Sequence, residues 1–270
     1  MSRRAELGQF LRSRRARLSP ADLGLTTTHN QRRVPGLRRE EVARLAGVSV
    51  DHYVRLEQGR DLGFSTAVLD AVARVLRLDA DERAHLYRLV RPEPGREGTV
   101  EQRVGPGLRR LVESATDVPA YVVGRRGDVL AWNRLAAALI TDFGALPAAE
   151  RNIARVVFGD PAMRRRYADW LGKAGDVVAY LRLDLGRHPE DPKLAQLVRE
   201  LSAASPEFRG LWADHRVGDK TRGAYRFTHP VAGELDLAYE TLRPPDDPDQ
   251  ALITYVVEPG SPSEAALRLL

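Results

Sequence analysis

The residues best placed to do chemistry in this chain lie in one stretch, residues 37–60, and the chemistry is recognition instead of bond making. Read at 3.6 residues per turn, the run from Val50 to Gly59 sets Tyr53 and Leu56 on one side at i and i+3. Val50, Asp51, Val54 and Arg55 stay on the other. The outward set therefore holds an aliphatic group, a carboxylate and a guanidinium on one short rod. Ser49 stands just before it, and its hydroxyl can accept a backbone N–H two or three residues on, as a helix N-cap does. Gly59 stands where a helix C-terminus is expected.

A second short helix must position that rod. Val42, Leu45 and Ala46 fall at i, i+3 and i+4 and predict one apolar stripe, with Arg38, Arg39, Glu40, Glu41 and Arg44 turned away from it. Gly47 supplies the residue without a Cβ that can close this helix in the left-handed conformation, and Val48 can plug the corner. Two short helices over a glycine-containing turn form a helix-turn-helix unit, whose second helix lies in the major groove of DNA. An αα-hairpin of ordinary core residues shares this periodicity, so charge has to arbitrate. Residues 1–60 hold 13 Arg against 6 Asp and Glu, a balance of +7, while residues 61–270 hold 29 basic against 31 acidic side chains, or −2. Phosphate contacts supply most non-specific DNA affinity, so a positive field on the helix-turn-helix end points to duplex DNA as the partner.

Around this unit, Leu7, Phe10 and Leu11 share one face of a first helix whose other faces carry Arg12, Arg14, Arg15 and Arg17. Residues 19–36 make a connection longer than is usual between packed helices. Within it Asn30, Gln31, Arg32 and Arg33 form a polar, basic arm that either touches phosphates or the minor groove or is a solvated loop. Ser65 or Thr66 can cap a fourth helix bearing Val68, Leu69, Val72, Val75 and Leu76. Asp79 opens a fifth over residues 80–89. Residues 91–98, Arg-Pro-Glu-Pro-Gly-Arg-Glu-Gly, lose all periodicity and read as a linker.

The remainder has another grammar. A short helix carries Leu108, Leu111 and Val112, and residues 120–123 and 128–132 flank Gly-Arg-Arg-Gly as a β-hairpin. Residues 135–140 and most of 150–217 read as helical, with Asp160, Asp191 and Ser205 each a capping residue followed by Pro. Residues 223–229, 235–242 and 251–257 return to strand. Strand pair, helices, then three antiparallel strands describe an α+β domain with helices over a sheet. The aromatic residues Trp132, Phe158, Tyr167, Trp170, Tyr180, Phe208 and Trp212 are plain core or the wall of an apolar pocket.

Other function classes find little support. A chain of 270 residues suggests two domains. It has no cysteine, hence neither disulfides nor a thiolate metal site, and a reducing compartment is allowed. No apolar run approaches the roughly 18 residues of a membrane span, and no apolar segment follows the Arg-rich start, so a soluble, cytoplasmic, nucleoid-associated protein is the expectation. Only Lys173, Lys193 and Lys220 are lysines, a bias toward arginine that looks like codon usage. Gly105 and Gly107 do not complete a dinucleotide-binding motif, Gly218-Asp-Lys-Thr breaks the phosphate-loop pattern, and no metalloprotease or nucleophile-elbow motif occurs. His188, His215 and His229 are unpatterned, and Arg164-Arg-Arg reads as a solvated helix face. We expect no enzyme, no cofactor and no metal.

Two resemblances sharpen this picture. Glu-Glu-Val-Ala-Arg-Leu-Ala-Gly-Val-Ser followed by Tyr, Leu, Glu, Gln and Gly resembles the helix-turn-helix of phage-repressor-like (Xre) regulators, matching Ala43, Gly47, Val48, Ser49, Leu56, Glu57 and Gly59 together. Farther on, Asp-Val-Leu-Ala-Trp-Asn, Trp170, Asp-Pro-Lys-Leu, the run from Glu200 to His215, and Glu-Pro-Gly-Ser-Pro-Ser-Glu are similar to the MmyB-like regulators. Departures are Thr26-Thr-Thr-His-Asn, where Pro, Gly and Arg are commoner, and Arg216 in place of an Asp after His215. The resemblance implies a five-helix, repressor-like all-α domain over 1–91, a linker over 92–104, and a PAS-like α+β domain over 105–270 that can hold a long apolar, fatty-acid-like molecule. In the family's register Val50, Asp51 and Arg55 face base edges. Arg55 would be a bidentate donor to guanine, Val50 would meet a thymine methyl, and Asp51 would accept from cytosine or orient Arg55. Arg39, Ser49 and Arg60 would anchor phosphates. One helix offers too few base contacts for genomic discrimination, so a homodimer on a pseudo-palindromic operator is expected. The alternative for the C-terminal half is a dimerisation or protein-interaction module without a small ligand.

Overall fold

The computed structural model describes residues 3–25, 36–60, 63–91, 102–219 and 221–270. The chain divides into two compact units, Met1–Gly98 with Arg182–Pro192, and Thr99–Leu181 with Lys193–Leu270.

The first unit is built on five helices, α1 (Arg3–Arg17), α2 (Arg39–Ala46), α3 (Val50–Glu57), α4 (Thr66–Val75) and α5 (Ala80–Val90). Local sequence sets their ends. Gly47 adopts φ 68° and closes α2, Ser49 Oγ accepts from the backbone N–H of His52, Ser65 Oγ from that of Val68, and Asp79 Oδ1 from that of Glu82. Leu7, Phe10, Val42, Tyr53, Leu56 and Leu86 are fully buried, and each such side chain contributes about 1.5–3 kcal/mol by leaving water.

Three expectations need correction here. Leu45 is exposed, and Val42 with Ala43 makes the buried pair of α2. This eight-residue helix packs on both α3 and α4, which turns its inward arc by about one residue. Arg14 is not on an outer face of α1: it is buried, its guanidinium 4.8 Å from the Phe10 ring and 2.8 Å from Glu82 Oε1. Arg15 likewise turns in, toward Glu57.

The second unit holds a five-stranded antiparallel sheet in the order β2-β1-β5-β4-β3. The elements are α6 (Pro106–Ser114), β1 (Ala120–Val123), β2 (Val129–Trp132), α7 (Arg134–Leu139), α8 (Ile153–Gly159), α9 (Pro161–Arg166), α10 (Trp170–Arg187), α11 (Pro192–Ala204), α12 (Pro206–Ala213), β3 (Arg222–His229), β4 (Gly233–Leu242), β5 (Ala251–Val256) and α13 (Pro262–Leu267). Proline opens α9, α11 and α12, with Asp160 and Ser205 capping α9 and α12 as their hydroxyl or carboxylate oxygens accept backbone N–H groups.

Period-two alternation gives the sheet two faces. The pairings Tyr121↔Ile253, Val123↔Ala251, Tyr239↔Tyr255 and Thr241↔Ile253 place these side chains together on one face. On the other, Ala120, Val122, Ala131 and Leu252 pack with Val104 and Val112 in one core cluster, Val112 being the inward residue of α6. Leu111, expected beside it, is exposed, because a nine-residue helix resting on a sheet edge buries only a narrow stripe. Arg166 also departs from the solvated face expected of the Arg164-Arg-Arg run: its guanidinium donates to the carbonyls of Leu139 and Ile140 at the end of α7.

Candidate nucleic-acid interface and ligand cavity

The outer side of α3 carries the residues singled out for base contact. Val50 is 46% exposed, and the side chains of Asp51 and Arg55 are 80% and 47% exposed, while Tyr53 and Leu56 on the opposite side are fully buried. Arg55 Nε lies 3.4 Å from Asp51 Oδ2, one turn apart. Such an exposed i,i+4 pair is worth only about 0.3–0.5 kcal/mol, less than the roughly 1–3 kcal/mol of a good bidentate base contact. It can orient Arg55 without holding it back. Ser49 is exposed at the helix N-cap.

Beneath this surface lies a buried carboxylate. Glu57, fully buried at the end of α3, meets Arg15 Nε at 3.0 Å through Oε2 and Arg39 Nε at 2.9 Å through Oε1. Burial alone would raise the Glu57 carboxyl, but hydrogen bonds and charge from Arg15 and Arg39 outweigh it and hold the group below its ordinary value. Arg39 is thus both a surface cation and a structural one. Arg60 is exposed and shares a cleft with Arg4 and Arg12, which were not among the expected contact residues. That basic cleft was hidden in sequence because α1 and the end of α3 are far apart along the chain. Arg32 and Arg33 lie outside the described residues.

The second unit contains a cavity between the inner face of the sheet and α10, with about 610 Å³ of space including its mouth, a size typical of small-molecule sites. Aliphatic wall comes from Val123, Ile153, Val177 and Ile253. Aromatic wall comes from Tyr121, Tyr180, Tyr225, Tyr239 and Tyr255. Charged groups also reach it. Arg243 clasps Asp219 through two contacts, at 3.0 and 2.7 Å, and Lys173 Nζ lies 4.8 Å from the centre of the Tyr225 ring. Tyr225 donates its hydroxyl proton to Asp176 Oδ2 at 2.8 Å, and Tyr180 donates to the Gly124 carbonyl at 3.0 Å.

Of the seven aromatic residues weighed from sequence, Tyr180 lines this cavity. Phe158, Trp170, Phe208 and Trp212 instead form a chain of ring contacts among α8, α10 and α12: Phe158 meets Trp170 at 5.7 Å and Phe208 at 5.1 Å, and Phe208 stacks on Trp212 at 5.7 Å. Trp170 Nε1 donates to the Val157 carbonyl at 3.1 Å. Trp132 packs on Phe143 under Arg151, and Tyr167 packs on Phe227 with ring centres 4.4 Å apart. The strand tyrosines were missed because they were read one by one; their shared parity along β3, β4 and β5 was the available signal. His229 serves a turn: its Nδ1 accepts from the N–H groups of Val231 and Ala232, and Nε2 faces the Ala138 carbonyl at 3.1 Å.

Among the described residues no helix is long and apolar enough to cross a membrane. No curated protein matches the chain. Residues 6–86 match a helix-turn-helix domain, and residues 104–270 match the MmyB-like transcription regulator ligand binding domain. With a helix-turn-helix whose second helix shows its polar side to solvent, and a sheet domain enclosing a cavity, the chain belongs to the MmyB-like family of DNA-binding transcription regulators.

Proposed function

We propose that this protein binds a specific pseudo-palindromic operator as a homodimer, and that a long apolar, fatty-acid-like molecule in the C-terminal cavity modulates that binding. The division of labour follows the expected boundaries, residues 1–91 for DNA and 105–270 for effector binding and dimerisation. The observation that carries the DNA half is the exposure of Val50, Asp51 and Arg55 on a helix whose other side is locked into the core. Arg55 donates to guanine, Val50 meets a thymine methyl, and Asp51 accepts from cytosine or holds Arg55 in place. Arg39, Ser49, Arg60 and the arm residues Arg32 and Arg33 contact phosphates and fix register. Two copies give half-sites about one turn, roughly 34 Å, apart. Selection of bound sequences from random duplexes, followed by footprinting, tests this. Protection of a single half-site by a monomer would refute it.

Effector control follows from linkage. A ligand shifts the DNA-competent population only by its unequal affinity for two arrangements of the protein, and moving from 1:99 to 99:1 takes about 5.5 kcal/mol. A buried acyl chain at around 0.8 kcal/mol per methylene is large enough to supply it. The aliphatic and tyrosine wall supports an apolar effector over a purely structural dimerisation module, for which a filled interior would serve. Mass spectrometry of molecules extracted from the purified protein, with operator binding measured before and after extraction, tests the link. Equal operator affinity in both states would favour the module instead.

A further inference from the structure

The tyrosines around the cavity are not equivalent. Tyr180 and Tyr225 spend their hydroxyl protons on Gly124 and Asp176. Tyr121 on β1 and Tyr255 on β5 also line the cavity and are 0% and 1% exposed, yet neither hydroxyl has a hydrogen-bond partner among the described residues. Their rings lie nearly parallel, 25° apart in tilt with centres 6.2 Å apart. Tyr167, 3% exposed and bridged to Phe227 across the sheet edge, brings a third hydroxyl beside that of Tyr255, and it too has no partner.

A buried hydroxyl left unpaired costs on the order of 1–3 kcal/mol, and folded proteins keep few of them without a reason such as a missing guest. Three neighbouring ones at the end of an apolar cavity form a donor site. Burial raises all three phenols above their ordinary value, so each keeps its proton at neutral pH and can donate it. The complementary group is an oxygen acceptor attached to something apolar enough to lie along Val123, Val177 and Ile253.

We propose that Tyr121 and Tyr255, with Tyr167 behind them, receive the acyl oxygen of the effector, so that its head group points into the sheet and its chain runs along the aliphatic wall. This rests on the effector role proposed for the cavity, and it adds a head-group requirement: the carbonyl oxygen of a carboxyl or an ester is bound where a bare hydrocarbon would leave the donors unmet.

The test uses the full chain and the double variant Tyr121→Phe/Tyr255→Phe, which removes two oxygens and no carbon. Tetradecanoic acid, methyl tetradecanoate and tetradecane are the probes, their binding followed by equilibrium dialysis. The double variant is expected to lose about ten-fold or more for the acid, the ester or both, and to bind tetradecane unchanged; the arm that loses more separates a charged from a neutral head group. Binding of both acyl probes within about two-fold of the unsubstituted protein overturns the proposal. Without ligand the double variant should melt at the same temperature or higher, since two unmet donors are gone. A clear drop would mean that the hydroxyls already had partners, and would also overturn it. If no probe binds the unsubstituted protein, the effector role fails and this assignment with it.

Discussion

Arg39 and Glu57 close the helix-turn-helix on itself: the first residue of α2 places its Nε 2.9 Å from the Oε1 of the last residue of α3. With Arg15 of α1 on the other oxygen at 3.0 Å, one buried carboxylate ties three helices. Removing one partner of a buried pair strands the others, so Glu57→Gln is expected to destabilise the N-terminal unit by roughly 3 kcal/mol, read as a lower midpoint in denaturant melts. The sign with pH follows from the lowered carboxyl. The unfolded group titrates near its ordinary 4.5 and the folded one below it. Its contribution is therefore complete above the unfolded value and is lost as pH falls through the folded one. Melts of the Gln variant should lack that part of the acid loss; identical acid slopes for the two proteins would discount the carboxylate's role.

Gly47 and Gly59 adopt nearly the same left-handed backbone, φ 68° and 63°, but in different surroundings. A Cβ on Gly47 meets nothing within 4 Å, whereas one on Gly59 would sit 2.8 Å from the Arg4 carbonyl oxygen. Gly47→Ala should cost only the conformational penalty, about 1–2 kcal/mol. Gly59→Ala should cost measurably more, because α1 has to shift as well. Equal losses in chemical denaturation would show that α1 does not lie against this turn.

Arg55 and Arg60 should fail differently on DNA. Arg55→Ala is expected to weaken the selected operator by about 1–3 kcal/mol and relax one base position, with random duplex little affected. Asp51→Ala should relax the same position by less. Arg60→Ala should weaken every duplex similarly and reduce the slope of log affinity against log salt by about one. Titrations of both duplexes across a salt series distinguish the two behaviours, and a uniform loss for Arg55→Ala would remove it from base readout.

Ile253 lies mid-sheet on the cavity wall and is only half-buried. Ile253→Trp should fill the space, abolish any response of operator binding to added acyl compounds, and leave operator affinity without effector near that of the unsubstituted protein. Gel-shift titrations with and without tetradecanoic acid measure both. A retained response would place the effector elsewhere.

The sequence alone determined the helix-turn-helix, the two-domain order and the alternating strands. These are local properties: Ser49 caps through a residue three positions on, Gly47 closes a turn through its own φ, and Tyr53 with Leu56 share a face because 3.6 residues make a turn. What only the tertiary structure decided was which polar groups meet inside. Arg14, Arg15 and Arg39 looked like surface charge until Glu82 and Glu57 arrived from other helices. Leu45 and Leu111 looked like core until short helices met their partners on a neighbouring arc. The cavity belongs to the same class. Tyr121, Tyr225, Tyr239 and Tyr255 come together through antiparallel register, and the aromatic residues of α8, α10 and α12 pack on one another instead. Periodicity states the direction in which a side chain leaves its own element, and only the packing of elements distant in the chain settles what stands opposite.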